Sequence, residues 1–183
     1  MSGTASTNRT GSSFMQRPSA FLRPIIALLC LGVCALANHS APAQQPEASD
    51  MAARANAALI KNAYDAFSRG DIPGAMAAFA DDIAWHVPGR GPLSRDYRGQ
   101  DEVLGFFGHF TELAHGTFRL QVDDILAKGD RVVVLCTESA QRAGRNWMAP
   151  QVHVWTVKNG KATAFREYEG DEQGDDEFWS AQE

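Results

Sequence analysis

The order of elements in the sequence predicts an α+β domain, with helices packed on one face of an antiparallel sheet. Three observations carry that expectation. Apolar residues recur at i, i+3, i+4 spacing through Ala58, Leu59, Ala63, Ala66 and Phe67, the signature of a helix face. A second apolar side runs through Val103, Leu104, Phe106, Phe107, Phe110 and Leu113. From residue 117 onward the pattern becomes strand-like, punctuated by turns at Lys128-Gly129-Asp130, Ala143-Gly144-Arg145-Asn146 and Asn159-Gly160. Helices gathered ahead of a strand meander form two layers around one core.

The elements follow in order. Residues 1–24 are rich in Ser, Thr and Gly with scattered arginines, and Ile25 to Ala37 is a continuous apolar run of 13 residues. A membrane span needs about 20 such residues, so the run fits the apolar core of a secretory leader. Small-x-small sites at Ala35-Leu36-Ala37 and Ala41-Pro42-Ala43 offer cleavage after Ala43, or after Ala37. An uncleaved anchor and a start at Met15 remain alternatives. Leu31-Gly32-Val33-Cys34 departs from a lipoprotein cleavage box at the bulky Val33. The expected location is therefore periplasmic or secreted.

Residues 44–54 read as a linker and 55–170 as the domain, whose first helix ends at Gly70. Asp71 is placed as an N-cap, with Pro73 in the first turn of a second helix that runs through Met76 and Phe79 to about Ala80. Ile83 to Val87 is a short strand that Pro88 stops, and Gly89 to Gly99 is a Gly/Pro-rich loop placed like a lid. Residues 100–114 form the third helix. Strands are expected over 117–126, 131–142, 147–157 and 161–168, the last two joined by a hairpin at Asn159-Gly160, the strongest short-range hairpin signal. The tail, 171–183, is acidic and reads as solvated, with Phe178-Trp179 pinning a short helix to the body.

Composition limits the function. With −5 over the whole chain and three uncompensated arginines before residue 44, the remainder carries −8. Such a domain repels nucleic acid phosphates. Cys136 is the only cysteine outside the leader, so no internal disulfide is expected, and it follows a Val132-Val133-Val134-Leu135 run as a core residue. No Gly-x-Ser-x-Gly, dinucleotide fingerprint or short metal-ligand spacing occurs, so neither cofactor nor metal is expected.

The pattern resembles the SnoaL-like group of the nuclear transport factor 2-like (ketosteroid isomerase-like) superfamily. The carrying residues are Gly70-Asp71-Ile72, Phe79 through Pro88, Tyr97-Arg98-Gly99, and Asn159-Gly160-Lys161 leading to Phe165-Arg166-Glu167-Tyr168. The resemblance implies a cone-shaped curved antiparallel sheet on three N-terminal helices, enclosing a conical cavity. It also implies a homodimer through the outer sheet face, with Trp147 an interface candidate. The isomerase residues do not carry over. Val87 stands where that enzyme has its general base, Ala63 where it has its oxyanion tyrosine with Tyr64 one residue off, and His153 where it has its second donor.

His153 and Glu167, one on each arm of the hairpin, are the candidate catalytic pair, because a His beside a carboxylate suits proton transfer. A two-residue turn would set His153 opposite Arg166; a three-residue turn would set it opposite Phe165 and diagonal to Glu167, the arrangement the resemblance favours. Trp85, His86, Tyr64, Phe107, Trp155 and Phe165 are the candidate ligand-binding residues. Trp85 and His86 alternate, so they point to opposite faces. Glu138 is expected in an ion pair with Arg119, Arg142 or Arg166; Arg90 and Tyr97 are read as solvated loop residues, with contact to a ligand as the alternative. The expected function is binding of a small apolar or oxygenated ring compound, with isomerase- or lyase-type proton transfer; a non-catalytic binding or accessory dimeric domain is the alternative.

Overall fold

The computed structural model describes residues 44–182. The leader, its cleavage sites and the alternative start lie outside the described residues. Among the described residues no helix is long and apolar enough to cross a membrane.

Helix α1 spans Gln44–Ser68, so the stretch expected as a linker is helical. Its Ala-rich sequence favours a helix, and Ala53 is already buried. Ile60, Ala63, Tyr64 and Phe67 face the core on successive turns. Helix α2 is short, Ile72–Met76, capped by the Asp71 carboxylate accepting from Gly74 N–H at 2.9 Å. Phe79 therefore does not extend this helix. It opens strand β1, Phe79–Val87, and the following loop contains strand β2, Arg95–Arg98. Helix α3, Gly99–Ala114, buries Val103, Phe106 and Phe107. Strands β3 (Arg119–Lys128), β4 (Arg131–Arg142), β5 (Arg145–Lys158) and β6 (Lys161–Glu169) follow, then helix α4, Glu172–Trp179.

The six strands form one sheet in the order β2-β1-β6-β5-β4-β3. The meander β3 to β6 is antiparallel as expected, but β1 pairs with β6 in parallel. The sheet is therefore mixed. This pairing joins residues about 80 positions apart, such as Trp85 with Phe165, and nothing in the local alternation of either strand encodes it.

The β5–β6 hairpin differs from both sequence-based registers. Asn159 and Gly160 both adopt positive φ, 51° and 73°, in a two-residue turn closed by Lys158 and Lys161. An irregularity between Val157↔Ala162 and Thr156↔Ala164 then inserts Thr163, and a bulge of this kind shifts all later pairs by one residue. His153 thus lies directly opposite Glu167.

The acidic tail is not a solvated appendage. Phe178 and Trp179 stack and edge against Trp147, and Trp179 also meets Phe110. Asp175 is 2% exposed and accepts from Trp147 Nε1 at 2.7 Å and Gln151 Nε2 at 2.8 Å. The chain's own tail therefore packs on Trp147, which stays half-buried. Asp176 Oδ1 accepts from the backbone N–H groups of Arg90 and Gly91 at 2.8 and 2.7 Å. Gly89 makes this approach possible: its φ is +87°, and a Cβ there would stand 2.5 Å from Asp176 Oδ1.

Asp176→Ala leaves two loop N–H groups without their acceptor. The expected loss is about 1–3 kcal/mol, read by urea unfolding, with faster amide exchange at Arg90 and Gly91. Unchanged stability and unchanged exchange would show that the latch carries no weight.

Candidate active site

Strand alternation selects what faces the helices. On β4 the inward residues are Val132, Val134, Cys136, Glu138 and Ala140; on β5 they include Gln151, His153, Trp155 and Val157. On β6, Phe165, Glu167 and Glu169 turn inward after the bulge. These residues and the facing sides of α1 and α3 enclose a cavity of about 100 Å³. Its walls are aromatic: Trp85 stacks on Phe165 with 3.8 Å between ring centroids, and Trp155 and Phe107 each lie 5.5 Å from Trp85.

A polar cluster occupies one wall. Trp155 Nε1 donates to Tyr64 Oη at 3.1 Å, and Tyr64 Oη lies 2.6 Å from His153 Nδ1. With its oxygen already accepting, the Tyr64 hydroxyl best satisfies the network by donating to Nδ1, which assigns the His153 ring proton to Nε2. Nε2 faces Glu167 Oε1 at 3.3 Å and Glu138 Oε1 at 3.5 Å. Burial raises the Glu138 pKa well above the ordinary carboxylate range, and the neighbouring Glu167, Asp175 and Glu169 add to it. Glu169 is pushed up to about 9, by burial first and then by Asp175 and Glu167. Burial also raises Asp175 despite its two donors, and raises Tyr64.

The candidate residues fall into two groups. His153, Glu167, Trp85, Tyr64, Phe107, Trp155 and Phe165 all line the cavity. His86 does not: it points to the opposite sheet face, where Nδ1 meets Asp96 Oδ1 at 2.6 Å beside Arg98, Arg131 and Arg166. That bond holds the Asp96 carboxyl below its ordinary pKa. Tyr64 reaches the polar cluster although Ala63 holds the isomerase-matching position, because both residues fall on the buried side of α1. Glu138 makes no ion pair with Arg119, Arg142 or Arg166; its ion-pairing group is His153. Its place in the site was missed because strand parity puts it inward while Arg142 bonds the Trp179 carbonyl at 2.7 Å. Gln151, Glu169 and Asp175 were also missed. Tyr97 is buried with its hydroxyl donating to the Leu93 carbonyl, and Arg90 reaches Asp176 through its backbone N–H. Neither side chain lines the cavity.

Cys136, Glu138 and His153 bring three potential metal-ligand atoms within 4.8 Å of one another. These donor types suit a zinc-like ion. Burial and the Glu138 carboxylate raise the Cys136 pKa strongly, which opposes a thiolate in the metal-free site, and His153 has only Nε2 to offer while Nδ1 holds Tyr64. The spacing search could not see this set because it is assembled across two strands.

A mixed sheet of six strands and packed helices around an inner cavity defines the nuclear transport factor 2-like α+β class. The SnoaL-like domain model matches residues 60–165, and the chain belongs to that family. An uncharacterised protein of Mycobacterium tuberculosis is 30% identical over 67% of this chain and 94% of its own length. A nuclear transport factor 2-like protein of unknown function from Burkholderia pseudomallei is 32% identical, with TM-score 0.63, over 70% of this chain and 98% of its own. TerC, co-crystallised with polyporic acid, is 28% identical, with TM-score 0.58, over 63% of this chain and 91% of its own.

The raised carboxyl pKa values have a definite sign. Glu138 and Glu169 hold protons in the folded state that the unfolded chain has released, and Asp175 is shifted in the same direction. Their contribution to stability is present below the ordinary carboxylate range and is lost as pH rises, through about 9 for Glu169. Glu169→Gln removes one of these linkages. Thermal unfolding from pH 5 to 9 should show the variant gaining on the parent as pH rises; a gap independent of pH would contradict the assignment.

Proposed function

We propose that this protein binds a small ring compound in the aromatic cavity and transfers a proton on it. Glu167 takes the proton, His153 holds and supports that carboxylate, and Glu138, kept protonated by burial, is the complementary acid. The observation that carries this reading is His153 Nε2 standing between two carboxylates on the one polar wall of an otherwise apolar cavity. A carboxyl that burial keeps protonated is the usual way to place an acid beside a base. Tyr64 and Trp155 fix the imidazole from behind. TerC, crystallised with an organic acid, supports the ligand-binding part of the reading.

The second reading is a non-catalytic binder, favoured by Val87 where the isomerases resembled have their base. Native mass spectrometry of protein from its own host, together with deuterium uptake at carbon in a panel of single-ring ketones in D₂O, separates the two. If the site transfers protons, His153→Ala should abolish exchange while affinity stays within about tenfold, since the loss falls on the transition state. Exchange that survives His153→Ala, or none in the parent alongside a co-purified ligand, favours the binder.

The proposal extends to export and assembly. The apolar run Ile25–Ala37 and the small-x-small sites after it support removal of the leader. We place a homodimer interface on the outer sheet face, where Leu135, Met148 and Tyr168 are exposed. A stable dimer should sediment as one species that Leu135→Glu shifts to monomer; a parent that sediments as a monomer would rule this out.

A further inference from the structure

Resting on the cavity reading above, we infer that the ligand carries a positive charge: a single-ring amine bound as its ammonium. The charged side chains lining the cavity are Glu138, Glu167, Glu169, Asp175 and Asp176, with His153 beside them, and no lysine or arginine among them. The arginines of the adjoining strands face the other way, Arg98, Arg131 and Arg166 lining the outer groove. Arg142, on the inward side of β4, is held by the Trp179 carbonyl.

Two of the acids are already engaged. Asp175 accepts from Trp147 and Gln151, and Asp176 accepts from the loop N–H groups. Glu167 accepts from His153 Nε2 at 3.3 Å, and the remaining two are less engaged. Glu138 is 7% exposed, lines the cavity and accepts no hydrogen bond; its ion-pairing group, His153 Nε2, lies 3.5 Å away and is shared with Glu167 at 3.3 Å. Glu169 Oε2 is buried and has no partner. A buried carboxyl oxygen left in this state is costly without a donor or a counter-charge. An ammonium supplies three N–H donors and the opposite charge. The ring faces of Trp85, Trp155 and Phe165 favour the same cation, and the aromatic walls take the ring. An apolar cavity of about 150 Å³ holds a benzene, so a space of about 100 Å³ leaves no room for a second ring. A carboxylate ligand meets no lysine or arginine there.

Entry of the ammonium displaces protons. Facing it are Glu138, Glu167, Glu169, Asp175, Asp176, His153 and Tyr64, with Cys136 behind. Burial and mutual repulsion keep a proton on Glu169 in the empty cavity, and a cation beside it reverses that preference.

Calorimetric titration with benzylamine and with its neutral counterpart benzyl alcohol tests the inference. The buffer is at pH 7.5 and contains EDTA, so that no metal at Cys136, Glu138 and His153 contributes. The amine should bind at least about tenfold more tightly than the alcohol, with different apparent heats in Tris and phosphate from the released proton. Glu138→Gln and Glu169→Gln, which keep side-chain shape while removing a buried acid, should each shrink the preference; circular dichroism checks their fold. Alcohol binding as tightly as amine would overturn the charge inference and leave the cavity reading intact. An undiminished preference in both variants would place the amine elsewhere and overturn it too. Binding of neither below roughly 10 mM would also overturn it, while ketone exchange and native mass spectrometry still judge the cavity reading on their own.

Discussion

The charge of the cavity depends on one extra residue in β6. Pairing continued without interruption from Lys158↔Lys161 would set Arg166 opposite His153, with Ala164 and Tyr168 on the same inward face. The irregularity at Thr163 lets Ala162 and Phe165 both be buried with two residues between them. Beyond it, Glu167 and Glu169 point in while Arg166 and Tyr168 point out. A one-residue slip exchanges the two faces of a strand; here it exchanges an arginine for two glutamates. The same slip brings Phe165 onto Trp85 across the parallel β1–β6 pair.

An acid cavity without a lysine or arginine is a costly thing to build, and the surroundings show how it is maintained. The helices and the aromatic walls desolvate Glu138, and the protein answers by favouring its neutral form. Two of the acids meet fixed neutral donors instead: indole and amide for Asp175, backbone N–H for Asp176. Trp155 and Tyr64 hold one nitrogen of His153, so the other is committed to the carboxylates. The imidazole is oriented from helix α1 and used on strand β6, and this ties the helical layer to the sheet through a polar contact in an apolar core.

Much of this was legible in the sequence, and the misses share a cause. The helix faces, the strand meander, the Asp71 cap and the Asn159-Gly160 turn are local, and local spacing found them. His153 and Glu167 were found because each is a polar residue on an apolar arm of one hairpin. Glu138 carried the same signal, a carboxylate inside an apolar strand, but Arg119, Arg142 and Arg166 offered it an ion pair; Arg166 faces outward and Arg142 is held by the Trp179 carbonyl. The parallel β1–β6 pairing and the bulge at Thr163 are set by packing across the sheet, and no residue type in Ala162-Thr163-Ala164 demands an irregularity. His86 was placed correctly relative to Trp85, yet which of the two faced the cavity depended on where the helices lay. The stretch 44–54 looked like a linker for its polarity, whereas its alanines carry α1 onward.

Two of the tail's acids, Asp175 and Asp176, belong to the site, while Asp171, Glu172 and Glu177 are exposed. Phe178 and Trp179 dock α4 by packing on Trp147 and Phe110. Docking carries Asp175 to within hydrogen-bond reach of Gln151, and this adds a carboxylate to a wall that already holds several. That carboxylate is among the causes that raise Glu138 and the leading charge that raises Glu169. Tail docking and protonation of the wall are therefore coupled: protons on Glu138 and Glu169 relieve the repulsion that the tail's arrival creates. A cation in the cavity relieves it in the same way, so whatever neutralises the wall also holds α4, and through Asp176 the loop at Arg90 and Gly91, against the mouth of the sheet.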